Sequence, residues 1–295
     1  MLLPMADLLQ KAKEGQYGIP ACSASDESTF RAAVQAAEEL HAPLITICPA
    51  GGNVDLEEFG RIMYDIATKS SVPIATCLDH GGNFEDCIKG LRAGFTAVMI
   101  DRSAQPYEVN ARETAEMVRI CHAVGVSVEA ELGHVGSGEN YAVDGVSNLT
   151  EAADAVRFVQ ETGVDCLAVA VGTAHGTYKG TPKLDFDRLV EIRDAVNIPL
   201  VLHGGSGSGD ENLAKACKLG ICKVNVANDI MRSAYKAVEG KMEGNGVYGL
   251  YPLLMQGAQE AVKHVLEVFG AAGKAWYVKT KSNSTCLDIN AAREA

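Results

Sequence analysis

The chain has 295 residues, with 26 basic and 38 acidic side chains and a formal net charge of −12. That balance argues against non-specific nucleic-acid binding through a basic face, and 47% hydrophobic against 22% charged residues excludes a broadly disordered chain. No uncharged apolar run reaches the ~18 residues of a membrane span, so no membrane partner is expected, and the N-terminus carries Asp7 without the basic-then-apolar pattern of a secretory signal. The nine cysteines are odd in number and show no C-x-x-C spacing, which reads as buried or incidental thiols in a reducing cytoplasm.

Eight apolar strand candidates follow in order, each ahead of a helical pattern. Tyr17 to Cys22 precedes Glu27 to Leu40, and Pro43 to Cys48 precedes Leu56 to Thr68. Val72 to Leu78 precedes Phe84 to Leu91, and Phe95 to Ile100 precedes Tyr107 to Ala123. Val126 to Glu131 leads into a Gly-rich loop and then Glu151 to Thr162. Asp165 to Val171, Ile198 to Leu202 and Ile221 to Val226 complete the series, with helices near Phe186 to Ala195, Glu211 to Leu219 and Asp229 to Glu239. Strands rich in Val, Ile, Leu and Ala with little alternation suit a covered parallel sheet.

Length alone would allow two domains. Eight strand and helix units without a Pro-rich linker fit one closed barrel better, with an open doubly wound sheet as the runner-up. The expected fold is α/β, a single (β/α)8 TIM barrel with additional C-terminal helices from Val247 to Phe269. Its domain runs over 1–278, and 279–295 forms a polar C-terminal tail.

Barrel chemistry sits at the carboxyl ends of the strands. His80, His175 and His203 each follow a strand there, whereas His41, His122 and His264 lie in or beside helical patterns and read as surface residues. His134 stays undecided. Three imidazoles match the protein ligand count of a catalytic zinc site with one position left for substrate. Glu129 and Glu131 share a parity on the fifth strand with Ser127, so both carboxylates are expected inside the barrel. A buried carboxylate needs a cation or several donors, and a nearby metal is the economical source. His203-Gly-Gly-Ser-Gly207 after the seventh strand and Lys223 to Asp229 off the eighth stand where barrels frequently bind phosphate.

Leu78-Asp-His-Gly81, Val98 to Ser103, Val126 to Gly133, Val171 to Gly176, Leu202 to Gly207 and Lys223 to Ala227 together resemble the ordered motifs of the class II, metal-dependent fructose-bisphosphate and tagatose-bisphosphate aldolases. The resemblance runs from about residue 5 to 270. It implies that His80, His175 and His203 hold Zn2+, with Glu131 beside it. It implies further that Asp79 exchanges the proton of the C4 hydroxyl, and that Glu139 of a mobile loop protonates the enediolate. Gly176, Gly204, Gly205, Ser206, Asn225, Val226, Ala227 and Asn228 would bind dihydroxyacetone phosphate. A monovalent cation (Na+ or K+) is an optional second ion, and a homodimer or homotetramer in the cytoplasm is the implied setting. The substrate would be a phosphorylated ketose, in the first place a ketose 1,6-bisphosphate.

Departures from the family pattern cluster on the active face. Ala21-Cys22-Ser23 replaces Ala-Phe-Asn, and Cys48-Pro49-Ala50-Gly51 stands where Ser-Glu-Gly is common. Arg102 replaces a glycine, Ala227 an aspartate of some fructose-bisphosphate enzymes, and Asn228 a threonine or serine. These changes bear on the aldehyde partner more than on the reaction type. An aldolase with another aldehyde partner, an inactive phosphate-binding barrel subunit and a zinc hydrolase on the same fold remain the alternatives.

Overall fold

The computed structural model describes residues 1–136, 149–176, 178 and 182–277. Glu139, most of the Gly-rich loop around it and the tail 279–295 lie outside the described residues. Parallel strands β1 (Ile19–Ser23), β2 (Leu44–Pro49), β3 (Ile74–Gly81), β4 (Ala97–Ile100), β5 (Ser127–Leu132), β6 (Cys166–Val169), β7 (Leu200–Leu202) and β8 (Ile221–Val226) close into a barrel in sequence order. The open doubly wound sheet is thereby excluded, because β1 pairs with both β2 and β8.

No element is expected before Tyr17, yet Met5–Gly15 forms helix α1. Met5, Leu8, Leu9 and Ala12 recur at helical spacing and are fully buried. The Ala6 amide donates to Ser127 Oγ at 3.0 Å, so α1 contacts the start of β5, at the barrel end opposite the strand tips. The apolar spacing of Met5, Leu8, Leu9 and Ala12 is the sequence signal of this helix.

The barrel helices are α2 (Glu27–Glu39), α3 (Leu56–Lys69), α4 (Phe84–Ala93), α5 (Tyr107–His122), α6 (Ala152–Thr162), α7 (Phe186–Ala195), α8 (Asp210–Leu219) and α9 (Asn228–Val238). Side-chain caps start several of them: Asp26 accepts from the Ser28 and Thr29 amides, Asp55 from Glu58, Asn83 from Asp86 and Asp185 from Arg188. After α9 a short 3-10 stretch, Gly244–Gly249, leads into α10 (Leu250–Val268), which packs on α2 and α9. The expected C-terminal helix thus starts three residues later than its apolar run. The eight described cysteines are free and buried. Among the described residues no helix is long and apolar enough to cross a membrane.

Strand register decides which side chains enter the barrel. Met99 pairs with Glu129 and Glu129 with Cys166, while Val201 pairs with Lys223 and Ala21 with Asn225. Partners in register share a face, so one interior layer carries Glu129, Cys166 and Lys223. The layer above it carries Asn225 and Glu131, with His203 immediately beyond the end of β7.

Candidate active site

The third strand does not end at Leu78. Leu78 pairs with Val98 and Gly81 with Ile100, so three steps on β3 span two on β4. This bulge places His80 in left-handed backbone, φ 47°, a conformation costly for a residue with a Cβ and found where function over-determines it. Adjacent residues on a regular strand face opposite ways, and the bulge removes that restriction: both Asp79 and His80 reach the interior. Asp79 Oδ1 accepts from Asn225 Nδ2 on β8 at 3.2 Å, and the His80 ring lies 4.8 Å from that of His203.

His80, His175 and His203 each offer a ring nitrogen within 4.8 Å of the other two. Each ring is held through at least one nitrogen, and His203 through both. His80 Nδ1 bonds Asp101 Oδ2 at 2.7 Å, His175 Nδ1 bonds the Val135 carbonyl at 3.1 Å, and His203 Nε2 bonds Glu129 Oε1 at 2.9 Å. Such outer partners set the tautomer and aim the other nitrogen. His175 Nε2 is buried without a partner among the described residues, an orphan that a metal would satisfy. His203 Nδ1 bonds Glu131 Oε2 at 2.8 Å, and His80, Asp101 and Glu131 form a second close grouping of ligand atoms. Three imidazoles with an adjoining carboxylate suit zinc in donor type and number.

Electrostatics follow the same contacts. Burial pulls the His203 pKa down, but hydrogen bonds and charge from Glu129 and Glu131 outweigh it and lift the value to about 10. Burial lowers the His175 pKa, reinforced by the positive charges of His203 and His80, which leaves this ring neutral and ready to coordinate. Burial opposes ionisation of Glu131 too, yet the bond from His203 holds its pKa below the carboxylate norm.

Glu129 differs from the expectation that a metal compensates it. Its carboxylate is fully buried and takes Lys223 Nζ at 2.8 Å on Oε2, and its other oxygen orients His203. The compensating cation is therefore a lysine of the chain, inside the barrel. Lys223 also donates to Asn225 Oδ1 at 2.7 Å. Lys223 and Asp101 lie within the motifs from Lys223 to Ala227 and from Val98 to Ser103, neither of which marks them as functional residues. Parity could have found Lys223, two residues before Asn225 on β8, while Asp101 stands just past the end of β4, two residues after Met99.

The phosphate candidates assemble where β7 and β8 end. Gly204 has φ 68°, and a Cβ there would stand 2.2 Å from the Ala174 carbonyl oxygen. Gly204→Ala should cost at least the ~1–3 kcal/mol of left-handed backbone strain, read as a lower thermal midpoint; an unchanged midpoint would mean that the loop relaxes. Ser206 Oγ accepts from the Ala227 and Asp229 amides at 3.2 Å each, capping α9 from the neighbouring loop because Ala227 has no side-chain cap of its own. Gly176 lies in left-handed backbone and Asn228 opens α9. The Val226 side chain is buried in the core, opposite in parity to Asn225, so only its backbone is available to a ligand.

His122 bonds Asp165 and His264 bonds Asp210, both at 2.9 Å, away from the cluster. His134 lies at its edge, with Nδ1 3.0 Å from Ser103 Oγ and 3.7 Å from Glu131 Oε1. Arg102 does not enter the site: its guanidinium pairs with Glu113 on α5 at 2.6 Å and donates to the Gly82 carbonyl at 2.5 Å. Pro49 pairs in register with Asp79, so the second-strand departure directly adjoins the candidate acid/base residue.

A closed parallel barrel with a three-histidine cluster at its strand ends defines a TIM-barrel protein with a candidate metal centre. A family model described as "Fructose-bisphosphate aldolase class-II" matches residues 3–274, and the chain belongs to that family, whose members are lyases. It is 38% identical to the fructose-bisphosphate aldolase of Thermus caldophilus, over 93% of this chain and all of the relative. Among solved structures it is similar to the YdjI aldolase of Escherichia coli K12, with a TM-score of 0.85 and 33% identity over 94% of this chain and 100% of that one. The fructose-bisphosphate aldolase of Campylobacter jejuni shares the fold, with a TM-score of 0.75 and 20% identity over 92% of this chain and 96% of that one.

Proposed function

We propose that the protein is a zinc-dependent aldolase that reversibly cleaves a ketose phosphate, in the first place a ketose 1,6-bisphosphate, to dihydroxyacetone phosphate and an aldehyde. The observation that carries this reading is the pairing of a three-imidazole cluster, one ring of which has an orphaned buried nitrogen, with a bulge that sets Asp79 beside it. His80, His175 and His203 would hold the metal, with Glu131 adjoining. When bound, zinc supplies Lewis-acid polarisation of the substrate ketone.

The remaining work belongs to side chains and backbone. Asp79 takes the C4 hydroxyl proton as the C3–C4 bond breaks, and the C4 carbon leaves as an aldehyde. C3 then takes a proton, for which Glu139, outside the described residues, is the candidate donor implied by the family resemblance. In condensation the same proton returns from Asp79 to the aldehyde oxygen. Asn225 orients Asp79, while Gly176, Gly204, Gly205, Ser206 and the backbone from Asn225 to Asn228 receive the phosphate. The α9 N-terminus adds a field favourable to an anion.

Metal analysis of the purified protein should give about one zinc per chain, as a three-ligand catalytic site requires, and His175→Ala should lose most of it. Equal zinc in both proteins would remove His175 from the ligand set. Condensation of dihydroxyacetone phosphate with a panel of phosphorylated and unphosphorylated aldehydes tests the reaction itself. No product from any of them would overturn the aldolase reading.

A further inference from the structure

Tyr178 follows the motif of the second site histidine, His175, and belongs to none of the site residue sets. Its hydroxyl lies between two backbone segments. It accepts from the Ala174 amide at 2.7 Å and donates to the Gly204 carbonyl at 3.0 Å. Ala174 immediately precedes His175, and Gly204 immediately follows His203. A single O–H, using one lone pair and its one proton, therefore joins the backbone of two candidate ligand loops.

The same hydroxyl bears on the glycine cradle. Ser208 Oγ stands 3.4 Å from the Tyr178 hydroxyl and 2.9 Å from the Gly204 carbonyl; its one proton goes to the closer acceptor, so two hydroxyls converge on that carbonyl. The opposite end of the same peptide plane, the Gly205 amide, donates to the Asn225 carbonyl at 3.1 Å. With both ends held, this plane cannot rotate. The Tyr178 ring completes the support, because a Cβ on Gly207 would come within 3.2 Å of its Cδ2.

We propose that Tyr178 is the clasp that sets the Gly204–Gly207 cradle against the loop after β6, and so a positioning residue for the substrate phosphate. It touches no reacting atom; it acts through the backbone it holds. Substrate identity here rests on the aldolase reading above, whereas the clasp itself requires only that the cradle bind an oxyanion.

The test uses zinc-loaded full-length protein and two probes, inorganic phosphate by calorimetry and dihydroxyacetone phosphate by steady-state condensation. In Tyr178→Phe the ring stays and the hydroxyl goes. The expected result is a rise of about fivefold to tenfold in the phosphate Kd and in KM for dihydroxyacetone phosphate, the worth of one ordinary hydrogen bond. Bound zinc should stay the same, and the loss should fall on KM rather than kcat. A merely structural role would instead lower kcat and zinc content together, and that result, or an unchanged Kd and KM, overturns the proposal. If Tyr178→Phe fails to fold, Ser208→Ala removes the other donor to the Gly204 carbonyl and should raise both constants about twofold to fivefold; unchanged constants there overturn the clasp equally. Phosphate binding that weakens in the variant, without aldol chemistry in the unaltered protein, would reject the aldolase reading and leave the clasp standing. Absence of phosphate binding in the unaltered protein overturns the clasp with its cradle.

Discussion

Asp79→Ala lowers turnover by at least about 10²-fold, the usual contribution of one positioned general acid or base, and leaves zinc content unchanged. The two halves of that expectation have separate grounds. Asp79 belongs to neither close grouping of ligand atoms, although its neighbour His80 belongs to both, so removing its carboxylate subtracts no ligand. Asp79 is only 9% exposed, and its carboxylate is oriented by Asn225 from β8. Asp79→Asn sharpens the test, since it retains the size of the side chain and loses only its capacity to take a proton. Both variants should be measured in the cleavage and the condensation directions, because the same proton crosses in each. A variant with near full turnover and normal zinc would leave the C4 proton without an acceptor and defeat the assignment.

The barrel was legible because its signal repeats. Eight apolar runs, each followed by a helical period, leave few topologies, and β8 from Ile221 to Val226 falls where the apolar run does. The three histidines were legible for a related reason: a polar residue at or beyond the carboxyl end of an apolar run has a known address in a barrel. What the sequence obscured lies in pairings between distant strands. Glu129 was read correctly as inward and buried, but its compensation by Lys223 depends on which strands face one another across the interior, a separation of 94 positions in sequence. The bulge at His80 was likewise hidden, since it shows only in the register of β3 against β4, between Leu78 and Gly81. Arg102, a departure from the family pattern, shows the same limit: its partner, Glu113 on α5, is set by how the fourth strand and its helix pack and not by its neighbours in sequence.

Lys223→Met destabilises the protein by about 3–5 kcal/mol, the cost of leaving one member of a buried ion pair without its partner. Glu129 and Lys223 are both fully buried, so water cannot solvate the carboxylate left behind. Burial works against the Glu129 anion, and the charge of Lys223 together with the His203 bond overrides it and holds the pKa at about 2. Because the folded value is depressed, this stabilisation is present in metal-free protein above the ordinary carboxylate range near 4.3 and is lost as pH falls toward 2. Glu129→Gln combined with Lys223→Met removes both charges at once, and should recover most of the lost stability. Activity should not recover with it. Lys223 fixes the Asn225 amide through its oxygen, Asn225 in turn orients Asp79, and Glu129 aims His203 from the other side. The double variant is thus expected to fold, to unfold in denaturant near the midpoint of the unaltered protein, and to turn over at least about tenfold more slowly, as misplacing positioned groups costs. Denaturant melts beside steady-state rates separate the two effects: recovery of both together would mean that the buried pair serves stability alone, and recovery of neither would mean that the loss in Lys223→Met is not one of unpaired charge.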